Sequence, residues 1–544
     1  MGEKRVSEAE LSADSKRLKP DVEDSSSEPT DATVLKSRDV VDQATEVPST
    51  NDTLSKQPQN SKDKKKPKAD RRKRYEKNED TGPGSREEKS DEPKEPRLPK
   101  RECALQVGFC GSNYRGMQYQ KVQTGLPEPR TIEGELFRAL VAVGAVSKDN
   151  AADPVKVSFA RAARTDAGVH AVGNVVSLKM IIDVPGVDDL VALINSKLPA
   201  DIRLWGFQRV QKSFDARRFC DARKYTYFFP SYLLIPPKPG SGLDHVLREY
   251  ASSQGLEVEW KDDSFWSVID PAKTSPQEDM VRKRAWRAAP SHVDRLRTII
   301  AKFEKTHNFH NFTVARDPKD KTNERYMKEL EVSEPGVFGE TEWIAVTLHG
   351  QSFMLHQRKM MFALVMICRT GTPTSVLDEL MTLTTVNIPK MPALGLLLEH
   401  PIFSGYNAKI AKHNGNLQPS NTDYREPIDF NKYSEKMSSF KQEYIYDNMQ
   451  RIEDRKGLFD AWIRSVDSYS GKDFLYLNPK GVIPAEAVVK KGERREVPFR
   501  ERKVFNLTSF AEDDNEKVEA DVQDDADVDA EENLTKRELQ EAEG

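Results

Sequence analysis

The spacing of apolar residues along the chain predicts both strands and helices. Cys103, Leu105, Val107 and Phe109 alternate with more variable residues, which is the pattern of a strand with one buried face. Patterns of this kind predict further strands at 155–159, 176–180, 202–210, 225–229, 343–349 and at the end of 387–399. Helical patterns separate these strands.

The first predicted helix follows Thr131, which can cap it, and its apolar residues Ile132, Leu136, Leu140 and Val143 share one face. Further helices are predicted at 188–198, 293–305 and 351–371, with one or two amphipathic helices at 430–466.

Charge divides the chain into a body and two tails. Residues 1–100 contain 23 acidic and 23 basic residues with few aromatics, and residues 511–544 contain 15 acidic and 3 basic residues. Such segments bury too little apolar surface to offset the entropy lost on ordering, so both are predicted to be disordered. Because the whole chain carries −4 and the tails carry 0 and −12, residues 101–510 carry +8. A basic body favours a polyanionic partner.

Several classes of protein are disfavoured. The four cysteines include no closely spaced pair, which argues against a disulfide scaffold or a zinc ribbon. His307 and His310 lack nearby Cys or Glu partners, so no metal site is predicted. No secretory segment follows Met1, and the longest apolar run, 360–368, is too short to span a membrane. We therefore expect a soluble intracellular protein without a membrane partner.

A dense basic cluster, Lys62–Arg74, lies in the first tail. It favours nuclear import through the import machinery and hence a nuclear location. The alternatives are an arm that touches RNA phosphates and a solvated run of charge.

The stretch Arg161–Ala171 holds the most conspicuous candidate chemistry. One carboxylate, Asp166, follows an arginine and a hydroxyl and precedes the small residues Ala167 and Gly168, just before a predicted strand. An isolated acid on a loop held between sheet elements suits a positioned catalyst. Tyr225 begins an aromatic strand next to a basic turn, which favours base stacking for Tyr225 and a core position for the later aromatics of that strand.

These motifs together resemble the TruA family of tRNA pseudouridine synthases, in particular its eukaryotic nuclear branch. The similarity covers roughly residues 101–410. It rests on Arg161–His170, the glycine-rich loop with Tyr114 and Gln118, the Arg-Lys-Tyr225 strand, the His-Asn-Phe segment after residue 306, and Phe353–Lys359, in that order.

The resemblance implies an α/β (α+β) fold. Two similar halves would join their antiparallel sheets into one mixed sheet flanked by helices, with a central basic cleft. The expected organisation is a disordered tail with basic clusters (1–100), an N-terminal catalytic half (101–230), an insertion or linker (231–290), a C-terminal catalytic half (291–410), a docked helical extension (411–510) and an acidic disordered tail (511–544).

It also implies an isomerase that converts specific uridines of tRNA to pseudouridine and needs no cofactor. Asp166 would be the essential acid, Tyr225 would stack on the target base, and Arg164 would help to hold the extruded nucleotide. The carboxylate could attack C1′ as a nucleophile or remove the C2′ proton to give a glycal, and the residues leave both routes open. Small nuclear RNA and messenger RNA are further candidate substrates.

Ionised Asp166 needs a cation, because desolvation under a stacked base raises the pKa of a carboxyl group. The resemblance places an arginine shortly after the histidine of the family's third motif, which is Phe353–Lys359 in this chain. In His356-Gln-Arg358-Lys359 that spacing is one residue shorter, so either Arg358 or Lys359 could fill the role. We favour Arg358 because a guanidinium can bind a carboxylate with two hydrogen bonds.

Basic residues around the motifs are expected to bind RNA: Arg164, His170, Arg217, Arg218, Arg223 and Lys224. The main alternative function is a catalytically weak RNA-binding or RNA-folding protein on the same scaffold, favoured by the shortened third motif. A glycoside hydrolase would require two acids beside one bond, and the Asp166 loop has one.

Overall fold

A computed structural model describes residues 98–120, 128–260, 264–314, 316–490, 492–493 and 495–505. Apart from residues 98–100, the two predicted tails and the cluster Lys62–Arg74 lie outside these ranges. Within them, no helix is long and apolar enough to cross a membrane, and no group of three or more His, Cys, Asp or Glu side chains could hold a metal ion.

Ten strands form one mixed sheet in the order β4-β1-β3-β10-β5-β9-β7-β6, with β2 paired to β3 and β8 paired to β9. The strands are β1 (Lys100–Phe109), β2 (Ala160–Arg161), β3 (His170–Ile181), β4 (Ile202–Arg209), β5 (Ala222–Pro230), β6 (Lys305–Asn308), β7 (Glu324–Val332), β8 (Gly336–Phe338), β9 (Thr341–Gly350) and β10 (Leu396–Ile402).

The two halves of the sheet interlock by exchanging strands. β5 comes from the first half of the chain but pairs with β9, whereas β10 comes from the second half but pairs with β3. The pairing of β3 with β10 is parallel and the other pairings are antiparallel. The expected fold, two halves joined in one mixed sheet flanked by helices, is confirmed.

Twelve α-helices are assigned in the described residues: α1 (Ile132–Ala142), α2 (Leu190–Lys197), α3 (Gly242–Ser253), α4 (Ser264–Ser267), α5 (Pro276–Ala285), α6 (Pro290–Ala301), α7 (Lys359–Arg369), α8 (Ser375–Leu380), α9 (Ser404–His413), α10 (Ser434–Phe440), α11 (Asp447–Lys456) and α12 (Leu458–Asp467). A π-helical segment, Lys441–Tyr446, joins α10 to α11.

Helix α1 forms as its sequence predicts. The Thr131 side chain accepts a hydrogen bond from the Gly134 amide, and Ile132, Leu136 and Leu140 are buried. Segment 231–290, expected as an insertion or linker, contains α3, α4 and α5, and its Trp266 is 4% exposed. Residues 430–466 contain three α-helices and the π-helical segment rather than one or two helices.

Three further predicted elements have the wrong type or bounds. The helix predicted at 293–305 ends at Ala301, and Lys305, with a φ of 75°, begins β6. Residues 155–159 do not form a strand, because Asp153 caps a 3-10 turn over Pro154–Val157 and Ser158 has a φ of 57°. Helix α7 begins at Lys359 instead of residue 351, because His356 has a φ of 57°, which a right-handed helix cannot contain.

The halves meet where β3 and β10 diverge. Only Leu397 and Leu398 of β10 pair with β3, at His170 and Ala171. Further along β3, the short strand β2 pairs with Val176 and Ser177. Since β1 occupies the opposite edge of β3, β2 takes the place that β10 leaves. The chain after β2 therefore fills the fork between the two halves, and this is the loop that carries Asp166.

Candidate active site

The Asp166 loop, residues 162–169, is held by side chains from both halves of the sheet. Asn174 of β3 accepts from the Ala163 amide (3.2 Å) and donates to the Ala163 carbonyl (3.0 Å). Arg223 of β5 donates to the Ala162 carbonyl from Nε (3.1 Å) and Nη2 (2.6 Å). Both side chains are buried, so their bonds to the loop are shielded from water.

The backbone of the glycine-rich loop packs against the backbone of Thr165, the residue before Asp166. Gly116 has a φ of 89°, and a Cβ there would lie 3.0 Å from the Thr165 carbonyl oxygen. The Met117 amide donates to that same carbonyl at 3.1 Å. A side chain at position 116 would therefore be strained and would push on the residue before Asp166.

A buried ion pair fixes the start of the loop. Glu133 on α1 is fully buried and binds the Arg161 guanidinium with both carboxylate oxygens. It also accepts from the Tyr119 amide at 2.7 Å. Burial raises the pKa of Glu133, although Arg161 and the Tyr119 amide oppose this by stabilising the carboxylate. This pair ties α1, the glycine-rich loop and the Asp166 loop together.

The Asp166 carboxylate meets two side chains from the segment before α7. Arg358 Nη1 lies 2.5 Å from Asp166 Oδ2, and His356 Nδ1 lies 3.3 Å from the same oxygen. Arg358 Nε also donates to the Met391 carbonyl at 3.1 Å, which fixes the plane of the guanidinium. The Arg358 side chain is 2% exposed and that of Asp166 24% exposed. Asp166 thus faces the solvent-accessible side, with its cation behind it.

Asp166 is held ionised. Burial raises the pKa of its carboxyl group, but attraction to His356, Arg358 and Lys390 outweighs burial and lowers the pKa below its ordinary value. A carboxylate at neutral pH is available as a nucleophile or a base.

The positive φ of His356 explains how Arg358 reaches Asp166 although the third motif is one residue shorter than usual. A non-glycine residue with this backbone conformation is strained and persists only when its surroundings enforce it. Here the strained turn ends just before α7, so Arg358 occupies the N-cap position instead of a helical one. Its guanidinium thereby lies against Asp166, while the half-exposed Lys359 begins the helix.

Asp166 lines two neighbouring depressions. The first has an aromatic and aliphatic wall formed by Tyr225, Phe353, Leu396 and Val169, and it also contains the arginines Arg164, Arg223 and Arg358. The second is polar and basic, lined among others by Arg115, Gln118, Arg164, Arg358 and Lys390. A ligand with a flat apolar part and an anionic part could place one in each depression, with Asp166 between them.

The Tyr225 ring lies at the seam between the halves. It packs edge-on against Phe353, with the ring centroids 4.8 Å apart, and β5 pairs it with Leu398 on one side and Leu348 on the other. Burial raises the pKa of Tyr225 to about 12, so the phenol is neutral. The later aromatics of the strand, Tyr227 and Phe229, are fully buried, as their core assignment predicts.

Two of the residues expected to bind RNA, His170 and Arg223, are buried. His170 is fully buried, its Nδ1 accepts from the Gly111 amide at 3.1 Å, and burial lowers its pKa to about 4. Arg223 is 3% exposed, and its guanidinium donates to the carbonyls of Ala162 and Gln351. We therefore correct the prediction for His170, whose side chain holds a loop instead of reaching a surface where RNA could lie. Arg223 lines the first depression but uses its guanidinium to hold the Ala162 and Gln351 carbonyls, so it shapes the site more than it extends the RNA surface.

The other expected RNA contacts stay at accessible positions. Arg164 lines both depressions, Arg218 is exposed, and Arg217 and Lys224 are half-exposed. The amides of Arg217 and Arg218 both donate to Asp215 Oδ1, at 3.0 Å each, which shapes the turn before β5.

The structure brings two residues to Asp166 that sequence reasoning did not assign to it. His356 was used only to mark the motif, although its Nδ1 lies 3.3 Å from the carboxylate. Lys390 was interpreted only as part of a loop, although it lines the basic depression. The sequence does contain a signal for Lys390. It is a charged residue between two prolines, Pro389 and Pro392, in a loop that leads to a buried strand.

Comparison with known proteins identifies the family. The sequence profile described as "tRNA pseudouridine synthase" matches residues 299–404. The chain is 38% identical to "tRNA pseudouridine synthase 1" of Candida albicans over 435 residues, covering 70% of this chain and 68% of that protein. It is 40% identical to "tRNA pseudouridine synthase 1" of Saccharomyces cerevisiae over 448 residues, covering 75% and 78%. It is 38% identical to the "tRNA pseudouridine(27/28) synthase" of the same yeast, covering 56% and 85%.

The fold and these similarities agree. The chain belongs to the tRNA pseudouridine synthase family, in its eukaryotic branch, and is an isomerase that converts uridine to pseudouridine.

The Asp166–Arg358 contact predicts unequal effects of two neighbouring substitutions. Arg358→Ala leaves a desolvated carboxylate without its nearest cation, so the rate of pseudouridine formation should fall about 100-fold or more. Lys359→Ala should cost far less, because Lys359 is not among the described residues that line the two depressions. Single-turnover rates with both variants measure the difference, and equal losses would contradict the assignment of Arg358.

Proposed function

We propose that this enzyme isomerises uridines in tRNA, with Asp166 acting on the ribose of an extruded uridine. The relatives' names support tRNA as the substrate. The observation that carries the catalytic part is that an ionised carboxylate lies between a depression with an aromatic and aliphatic wall and a basic depression. A nucleotide presents a flat base, a ribose and a phosphate in that order, which fits this arrangement.

In the proposed reaction the N1–C1′ bond breaks, the uracil turns, and C5 forms the new bond to C1′. C5 then loses its hydrogen as a proton and N1, now free of the ribose, gains a proton, so the product is an isomer of uridine. Asp166 either attacks C1′ and forms a transient ester, or removes the C2′ proton and later returns it. Both routes leave uracil and ribose unoxidised and add no water, so the reaction balances without a redox partner. Both need the ionised carboxylate that Arg358 and its neighbours maintain.

Tyr225 and Arg164 have separate proposed tasks. Tyr225, whose ring is fixed by Phe353, stacks on the uracil and returns part of the free energy spent on unstacking it. Arg164 lines both depressions and is therefore placed for the phosphate next to the target. Arg217, Arg218 and Lys224 bind phosphates further along the RNA.

The alternative, an RNA-binding or RNA-folding protein with weak catalysis, rested on the shortened third motif. Arg358 lies 2.5 Å from Asp166 despite that spacing, which removes the argument for it. We propose nuclear tRNA as the main substrate, with stem-loops of small nuclear RNA and messenger RNA as further substrates recognised by shape.

The catalytic assignment is tested by incubating the enzyme with tRNA that carries tritium at C5 of uridine. We expect tritium release without any added cofactor, since the C5–H bond must break, and pseudouridine at specific positions on mapping. Asp166→Asn should release none, whereas Asp183→Asn, which changes an exposed acid outside the site, should match the wild type. Equal release by wild type and Asp166→Asn would refute the assignment.

The stacking role is tested by comparing Tyr225→Phe with Tyr225→Leu. The Phe variant keeps the ring and should retain most of the single-turnover rate. The Leu variant should lose about 10- to 100-fold, in line with a stacking free energy of ~1–3 kcal/mol. If the Phe variant is as impaired as the Leu variant, the hydroxyl rather than the ring is required.

Nuclear location is tested with the full chain fused to a fluorescent protein. Replacing the Lys and Arg residues of Lys62–Arg74 with Gln should shift the fusion out of the nucleus, because the cluster supplies the charge that import receptors bind. The same replacement at Lys16, Arg17 and Lys19 is the control and should leave the fusion nuclear. Unchanged nuclear accumulation after the first replacement would count against the proposal.

A further inference from the structure

The C-terminal segment, residues 495–502, packs along the loop that leads into β10. Asp473 joins the two, because its Oδ2 accepts from Asn387 Nδ2 and from the Phe499 amide, at 2.9 Å each. Asp473 also binds the Arg495 guanidinium through Oδ1. The segment is thus fixed beside residues 387–391, although it follows them by more than a hundred positions in the chain.

Lys390 is held by three contacts, two with Glu501 and one with Trp462. Its amide donates to Glu501 Oε1 at 2.7 Å, and its ammonium lies 3.4 Å from Glu501 Oε2. Its carbonyl accepts from Trp462 Nε1 on α12 at 3.1 Å. The Lys390 side chain is 9% exposed. Lysine has a long, flexible side chain with considerable rotamer entropy, so this degree of anchoring fixes where its charge lies.

The anchored lysine lies at the depression that Asp166 also lines. Lys390 lines the basic depression together with Asp166, Arg164 and Arg358. The next residue, Met391, supplies the carbonyl that accepts from Arg358 Nε. One short loop therefore supplies a cation to the site and also orients the arginine that touches Asp166.

We propose that Lys390 is a positioning residue for the reaction: held by Glu501, it fixes a second positive charge beside Asp166 and makes the C-terminal segment part of the active site. This inference rests on the proposed role of Asp166. Glu501 has two effects, because its carboxylate restrains the ammonium and also balances a second cation in a poorly solvated place.

The electrostatics of the site agree with this role. The charged or titratable groups around Asp166 are His356, Arg358 and Arg164, which line both depressions, with Arg115 and Lys390 in the second depression and Arg223 and Tyr225 in the first. Burial raises the pKa of Asp166, and Lys390 is one of three groups whose attraction lowers it. A stacked base and a nearby phosphate would both raise that pKa in the RNA complex, so the second cation matters most when substrate is bound.

The test compares Lys390→Met, Lys390→Arg, Glu501→Gln and the double variant Lys390→Met/Glu501→Gln with the wild type. Single-turnover rates are measured with C5-tritiated tRNA at saturating enzyme, from about pH 8 to about pH 5.5. Removing the cation raises the pKa of Asp166, so the ionised fraction falls sooner as the pH falls. We expect the rate of Lys390→Met relative to the wild type to fall as the pH falls, because the acid limb of its pH profile should lie at higher pH than that of the wild type.

The other variants separate positioning from general damage. Lys390→Arg should restore the wild-type pH profile because it restores the charge. Glu501→Gln keeps an acceptor for the Lys390 amide but loses the charge that holds the ammonium, so it should shift the profile in the same direction by a smaller amount. In the Lys390→Met background the same change should have no further effect, since the two residues act through one contact.

Three results would overturn the proposal. A rate ratio of Lys390→Met to wild type that is constant with pH would mean that Lys390 only supports the fold. Parallel pH profiles together with a higher enzyme concentration at half-maximal single-turnover rate would mean that it binds RNA phosphate. Additive effects of the two substitutions would mean that Glu501 does not act through Lys390. Since wild-type turnover is measured in the same series, a failure of the proposed function itself would appear as inactive wild type.

Discussion

The ion pair between Asp166 and Arg358 is the interaction on which the site depends. An ionised carboxylate that is mostly removed from water is unstable unless a cation compensates the lost hydration. Arg358 does this from a buried position and is itself oriented by the Met391 carbonyl. The solvent-facing side of Asp166 is thereby left for a substrate. His356 and Lys390 also attract the carboxylate, so three residues from two segments of the chain, the turn before α7 and the loop before β10, hold the charge of Asp166.

This pair can form only when both halves of the protein are joined. Asp166 lies on a loop of the first half and Arg358 on a turn of the second, and the two meet where β3 and β10 diverge. The exchange of β5 and β10 between the halves fixes that meeting point, because each half lends a strand to the other. Arg223 on the exchanged strand β5 then clamps the Asp166 loop. Substitutions far from the chemistry that loosen this junction should therefore reduce the rate, since small displacements of catalytic groups are costly.

The sequence predicted the parts of the site that depend on local pattern. The Asp166 loop, the Tyr225 strand and helix α1 follow from turn residues, alternation and capping within a few positions. It could not decide between Arg358 and Lys359, because the outcome depends on the left-handed backbone of His356, which tertiary packing enforces. It could not predict the burial of His170 and Arg223, because each side chain binds a backbone group from a distant segment, the Gly111 amide and the Ala162 carbonyl. Lys390 and Glu501 were missed because their contact joins positions more than a hundred residues apart.

The central claim is that Arg358 keeps Asp166 ionised. Infrared difference spectra of wild type against Asp166→Asn isolate the signal of this one carboxyl group and can be followed as the pH is lowered. We expect the wild-type signal to stay that of a carboxylate at pH values where an ordinary aspartate, with a pKa of about 3.9, begins to protonate. We also expect Arg358→Ala to protonate at distinctly higher pH. Protonation of wild-type Asp166 at or above the ordinary value, or an unchanged titration in Arg358→Ala, would contradict this claim.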